Sequence, residues 1–177
     1  AYAAKHDMQV DDVRAMWRDN RERAAEMGTR VHENCERFFL DRRDFNQPRD
    51  DDELRRMRMA ASACRTISAG CHTIEPEKLV FSPRWLVAGT VDLLAIKRDG
   101  TMIIGDWKTN KQVTTQGFKG RVMSWPLDHL QDCDLSKFSL QLSLYELLMK
   151  SEGYMDPDQR TERWIIPSRA FSLSGSL

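Results

Sequence analysis

Two aspartates and a lysine carry the chemistry that this chain can be read for: Asp92 in LVAGTVDLLAIK, and Asp106 with Lys108 in MIIGDWK. Side chains on a β-strand alternate faces, so Asp106 and Lys108 share one face and Trp107 takes the other, while Asp92 shares a face with Leu94 and Ile96. Arg98-Asp99-Gly100 joins the two runs, and Asp-Gly between β-rich segments signals a hairpin. A three-residue loop with Gly100 in the left-handed conformation pairs Lys97 with Thr101 and sets Asp92 opposite Asp106, Cβ atoms ~5 Å apart. A two-residue loop would set Asp92 against Trp107 and dissolve the cluster. Carboxylates flanked by Leu94 and Ile104 in a half-buried sheet repel each other and lose water, so without a cation at least one would protonate. A divalent ion relieves that conflict, and magnesium takes hard oxygen ligands of this kind together with waters and substrate phosphate. Lys108 adds positive charge that could hold an attacking water or stabilise charge on a phosphorane-like transition state. Taken alone, Asp-x-Lys on a strand reads as a solvated ion pair.

Three further features change that reading. Gly28-Thr29-Arg30-Val31-His32 places a histidine on a helix, with Glu36 one turn beyond. Gln141 and Tyr145, in LQLSLYELL, are four apart and project from one helical face. The third is their order along the chain. Residues 11–41 read as one long or two abutting helices, with Val31, Cys35, Phe38 and Phe39 facing a core. Gly28-Thr29 either interrupts this helix or lets another backbone come close. A second helix is expected over 51–69, with Leu54, Met57, Ala61 and Cys64 inward and Arg55, Arg56 and Arg58 toward solvent. A short strand at Leu79–Phe81 is broken by Ser82-Pro83, and longer strands follow at Leu86–Lys97 and Met102–Lys108. A polar loop then leads to a helix over Leu135–Ser151, N-capped by Ser136, and to a last strand at Thr161–Pro167. The expected fold class is α/β, a mixed sheet flanked by helices, in one domain: a helical part over 1–70, the sheet core over 75–167, and a frayed, Ser-rich tail over 168–177.

Composition narrows the classes. The 177 residues carry 27 Lys+Arg against 27 Asp+Glu, which argues against a strongly basic coat for nucleic acid but leaves room for a basic groove beside an acidic centre. No apolar run reaches the ~18 residues of a membrane span, and Ala1–Val10 lacks a signal peptide's apolar stretch, so no membrane partner and an intracellular location are expected. Cys35, Cys64, Cys71 and Cys133 form no CxxC pair and read as reduced, buried side chains. No GxxxxGK[ST] loop occurs, which excludes a helicase motor in this chain.

Taken in sequence order, GTRVHE, GTVDLL, IGDWKTNK and LQLSLYELL resemble the PD-(D/E)XK nuclease superfamily in its RecB-like branch, and look most similar to viral and mitochondrial-maintenance exonuclease domains. The resemblance spans Trp17 to Ile166. It implies a restriction-endonuclease-like core (αβββαβ) and metal-dependent hydrolysis of DNA phosphodiesters, with 5′-phosphate products and single-stranded DNA or DNA ends as substrate. By the same resemblance His32, Asp92 and Asp106 are ligands of one or two Mg²⁺ or Mn²⁺ ions, with the Trp107 carbonyl as a fourth. Asp92, Asp106 and Lys108 are catalytic, and Gln141 and Tyr145 support the site and touch substrate. Glu36 could join through water. Glu75 and Glu77 precede the first strand; one could help a second ion, but both read as surface residues. Arg30, Lys111, Lys119 and Arg121 are candidate phosphate contacts, each singly an ordinary surface cation. Trp125 and Tyr145 could stack on unpaired bases, as could Trp107, which reads rather as core. Some relatives hold an iron–sulfur cluster through cysteines that follow the Gln/Tyr helix; none follows Cys133 here, so no cluster is expected. An RNA endonuclease of the same superfamily and a non-catalytic nucleic-acid-binding module are the competing readings. Beginning in helix and ending in a Ser-rich tail, the chain reads as a domain from something longer.

Overall fold

The computed structural model describes residues 2–41, 44–110 and 112–168. A short helix, α1 (Tyr2–Lys5), precedes α2 (Val10–Asp41), which runs through Gly28 as one helix of 32 residues. Gly28 instead permits a close approach: a Cβ there would meet Thr109 Oγ1 at 3.4 Å. Helix α3 (Asp51–Gly70) starts at Asp50, whose carboxylate accepts the Glu53 amide proton at 2.8 Å. Asp51, Asp52 and Glu53 fill its first turn, where negative charge suits the helix dipole.

The inward face of α3 departs from the sequence pattern. Ala60 rather than Ala61 is fully buried, and Glu53 and Arg56 are buried with it. Each polar group has a partner. Arg56 donates to Asp52 at 2.9 Å and to the Thr109 carbonyl, while Glu53 accepts from Arg30 and from the Arg49 amide. Arg30 also reaches the Gln47 carbonyl at 3.2 Å. Arg30 and Glu53 therefore lock α2 to α3, and solvation of Arg56 gives way to a fixed ion pair.

Strand β1 (Cys71–Ser82) follows α3 without a loop and is far longer than the three residues expected. Its polar stretch and Pro76 conceal it, yet β1 is an edge strand of the sheet, where a missing N–H costs no ladder bond. Strand β2 (Val87–Lys97) pairs antiparallel with β1 and with β3 (Met102–Lys108). Leu86 stays in the preceding turn, at φ 52°. The β2–β3 turn has the expected form: Gly100 is left-handed at φ 83°, and Lys97 N–H bonds the Thr101 carbonyl at 2.9 Å. The ladder then runs from Ile96 against Met102 to Leu93 against Gly105, and one step further sets Asp92 across from Asp106.

Helix α4 (Asp134–Ser151) carries the chain over to β4 (Thr161–Pro167), which pairs parallel with β3 and makes the sheet mixed, in the order β1-β2-β3-β4. Ser136 is not the N-cap. Cys133 holds that position without a side-chain bond, and Thr114 from the preceding loop accepts the Asp134 amide proton through Oγ1 at 3.0 Å. Val31, Cys35, Cys64, Leu93, Ile103 and Trp107 form the core beneath α2 and α3, and Val80, Val91, Ile104, Leu142 and Met149 the core beneath α4. The molecule is thus α/β, a four-stranded mixed sheet between helices. All four cysteines are free and buried. No helix among the described residues is long and apolar enough to cross a membrane. The Ser-rich tail, Ser168 apart, lies outside the described residues.

Replacing Glu53 with Ala would leave Arg30 half-buried and unpaired. The expected loss is about 3 kcal/mol, read as a lower urea midpoint at unchanged m-value; an unmoved midpoint would refute the inter-helix lock.

Candidate metal and catalytic site

Two strands change faces at the same level of the sheet. In β1, Ile74 packs with the α2/α3 core while Val80, six residues on, belongs to the α4 core. In β2, Val91 belongs to the α4 core and Leu93 to the α2/α3 core. Residues an even number apart on one regular strand share a face, so alternation reverses between these positions. Glu77 and Asp92 stand at the reversals. They lie between the ladder pairs Pro76 with Leu93 and Lys78 with Val91, and so oppose each other, with Glu77 at φ 50°. Simple alternation grouped Asp92 with Leu94. Its Oδ2 instead accepts the Trp107 amide proton at 2.8 Å and lies 3.5 Å from Nδ1 of His32 on α2.

Glu77 completes the group. Its Oε1 is 3.9 Å from His32 Nδ1, and one donor atom each of His32, Glu77 and Asp92 lies within 4.8 Å of the others. Glu77 is therefore a site residue, not a surface glutamate; Glu75 is the surface residue, exposed and paired with Lys78 at 2.6 Å. A left-handed non-glycine residue inside a strand has no signature in periodicity, and only the nearness of Glu77 to the first strand hinted at it.

The Trp107 carbonyl, expected as an ion ligand, is engaged by His32 Nε2 at 3.1 Å. A carbonyl only accepts, so Nε2 carries the proton, and in the neutral ring Nδ1 presents its lone pair to Asp92 and Glu77. The protein thereby leaves Nδ1 as an electron-pair ligand atom beside the two carboxylates. The indole of Trp107 is core, 2% exposed.

Asp106, 3% exposed, stands beside this trio on the α4 side and not within it. Gln141 donates to its Oδ1 at 3.4 Å and to the Tyr145 hydroxyl at 3.3 Å. Lys108 Nζ lies 2.6 Å from Asp106 Oδ2, in an ion pair whose angles make no hydrogen bond, so that oxygen is buried without a hydrogen-bond partner. The same ammonium sits over the Phe138 ring at 4.3 Å. Tyr145 packs on Gly89, where an added Cβ would come within 2.7 Å of its ring. Lys108, Gln141 and Tyr145 thus gather at Asp106, as their motifs predict.

Other expected contacts divide. Arg30 is committed to Glu53 and the Gln47 carbonyl, and its place in the inter-helix lock removes it from the candidate phosphate ligands. Lys111 lies outside the described residues. Arg121 pairs with Asp132 at 3.1 Å, while Lys119 and Trp125 are exposed. Glu36 lines an open cleft of about 680 Å³ with Gly28, Thr29, His32, Glu33, Glu77 and Thr90.

The electrostatics follow from crowding. Burial raises the Glu77 pKa, and the Asp92 charge raises it further. Burial likewise raises Asp92, and Asp106 adds to it, against the lowering by His32, the Trp107 amide and Lys108. The Cys35 thiol, held by Cys64 and buried, is pushed far above the usual thiol range. The oxygen donors of Glu77 and Asp92 with one imidazole make a donor set suited to a hard divalent cation. Comparison with known proteins finds no family model, no curated protein and no solved structure that matches this chain.

Glu77 and Asp92 bind a proton more tightly in the folded chain than in the unfolded one. In EDTA, stability should therefore fall as the pH climbs from ~4 through their raised values. At pH 7 in EDTA, Glu77→Gln and Asp92→Asn should each raise Tm by about 2–4 °C, a gain that vanishes near pH 4. Millimolar Mn²⁺ should raise wild-type Tm more than that of either variant. Equal Tm values in EDTA at pH 7 would dismiss the crowding of charge.

Proposed function

We propose that this chain is a divalent-metal-dependent nuclease of the PD-(D/E)XK type, with a restriction-endonuclease-like core, that hydrolyses phosphodiester bonds of unpaired DNA or DNA ends. One observation carries the reading: Asp92 and Asp106 come from neighbouring strands just past the last ladder pair, Leu93 with Gly105, with His32 3.5 Å from the first and Lys108 2.6 Å from the second. Asp-x-Lys on an isolated strand would be a solvated pair, but here the aspartate is buried and one of its oxygens lacks a hydrogen bond. Three separated sequence motifs supply the group, and a fourth supplies Gln141 beside it, which a fold indifferent to the chemistry would have no reason to collect.

His32, Glu77 and Asp92 would hold one Mg²⁺ or Mn²⁺ ion, and Asp106 beside them would serve this or a second ion. Bound there, such an ion polarises the scissile phosphate and lowers the pKa of a coordinated water. The protein's own groups do the rest. Lys108, restrained between the Asp106 carboxylate and the Phe138 ring, supplies a positive charge to the attacking water or to the oxygens that gain charge at phosphorus. Gln141 sets the rotamer of Asp106, and Tyr145 in turn accepts from Gln141. His32 keeps its lone pair aimed inward because its other nitrogen is spent on Trp107. Glu36, on the cleft wall, can accept a proton from water in the cleft.

Labelled single-stranded DNA, duplex DNA and RNA, incubated with Mn²⁺ or with EDTA, test the reading. Cleavage should require the metal and favour single-stranded DNA. Asp106→Ala and Lys108→Ala should each lower it about 10²-fold or more with the fold retained. Undiminished cleavage in EDTA, or in Lys108→Ala, would sink the mechanism, and preferred digestion of RNA would move the assignment to an RNA endonuclease.

A further inference from the structure

The segment between β3 and α4 spends structure on displaying aromatic rings. It leaves β3 just past Lys108 and returns at Asp134, one turn before the Phe138 ring that carries the Lys108 ammonium. Its span from Gly117 to Asp132 is closed on itself. Gly117 N–H donates to Gln131 Oε1 at 3.1 Å, Asp132 N–H to the Arg121 carbonyl at 2.9 Å, and Met123 N–H to the Leu130 carbonyl at 2.9 Å. Val122 and Gln131 form a β-bridge. The Arg121 carbonyl packs against Gly117 so tightly that a Cβ there would lie 1.9 Å from it, which only glycine permits. Such a loop is ordered by its own bonds, yet Phe118 and Trp125 are left 80% and 84% exposed. Among the described residues no other Phe, Trp or Tyr side chain is so exposed, which leaves both rings free to meet an occupant.

The surrounding charges say which. Lys119, held at φ 54°, places its ammonium 5.5 Å from the Phe118 ring centroid, so a cation and a ring are offered together. Arg121 and Lys137 share the carboxylate of Asp132, at 3.1 and 2.7 Å, and Asp134 also acts on Lys137, so Lys119 is the cation most open to a ligand. Flat rings beside cations match a chain of unpaired bases on a phosphate backbone; stacking is indifferent to base identity, and the cations follow the phosphates.

We propose that the loop 117–132 is a stacking platform for an unpaired nucleic-acid strand, with bases on Phe118 and Trp125 and phosphates at Lys119 and Arg121. The proposal rests on the nuclease reading and gives it a substrate form, since a paired duplex buries the base faces that the rings would take.

Fluorescence anisotropy of labelled dT20 and of a blunt duplex, in Ca²⁺ and without turnover, is the test. Phe118→Ala and Trp125→Ala should each weaken dT20 binding about fivefold or more, with a smaller change for the duplex, and Trp125→Phe should restore most of it. Lys119→Ala should flatten the salt dependence of binding. No binding of dT20 by the wild-type protein, unchanged affinity in both alanine variants, or an equal loss on the duplex would overturn the platform; the last would point to a protein partner for the rings. Because binding is read without cleavage, the two ideas fail separately. A protein that never cleaves but loses dT20 with its rings keeps the platform and drops the nuclease, and one that cleaves but binds equally without the rings does the reverse.

Discussion

Three carboxylates held in one row across three hydrogen-bonded strands are the constraint around which this molecule is organised. Glu77 and Asp92 lie between the ladder pairs Pro76 with Leu93 and Lys78 with Val91, and Asp106 follows Gly105, the last β3 residue paired with β2. Two unit charges about 5 Å apart at an effective dielectric near 20 repel by ~3 kcal/mol, comparable with a sizeable fraction of a domain's net stability. The row survives because a dipolar and a cationic group meet it: the Trp107 amide and the Lys108 ammonium. What these groups leave uncompensated would favour a cation placed there.

Each layer of packing supplies one of the surrounding groups. Helix α2, fixed to α3 by Arg30 and Glu53, brings His32 to the row from one side. Helix α4 brings Gln141 from the other, seated by Tyr145 on the bare backbone of Gly89. The helices thus define where the histidine and the amide can stand, and the sheet defines where the acids stand. Neither layer makes a site alone.

The order of elements was legible because their periods are clean. Met102–Lys108 and Thr161–Pro167 are β-rich runs with turn signals at their ends, and Asp99-Gly100 specified both the turn and the register. The site was legible where it follows from strand alternation and register, as for Asp106 and Lys108, while Gln141 and Tyr145 entered only through the family resemblance of the four motifs. It was not legible where the backbone departs from regularity. Glu77 enters through a left-handed residue in a strand whose polar sequence hides it, and Asp92 turns from its expected face at the matching reversal. Arg30 and Arg56 misled for another reason. Charge in a helix predicts solvent exposure only until a buried partner exists, and Glu53 and the Thr109 carbonyl are partners from distant sequence.

The irregularity at Pro76 and Glu77 has a second effect on the outer rim of the sheet. Strand β1 is an edge, and a flat edge of free amides and carbonyls invites another strand to dock and propagate into fibrils. Pro76 contributes no amide hydrogen, and the left-handed backbone of Glu77 interrupts the even spacing that a docking strand would need. The kink that brings Glu77 beside His32 and Asp92 also guards the outer edge against strand docking, so relaxing it would expose that edge to self-assembly.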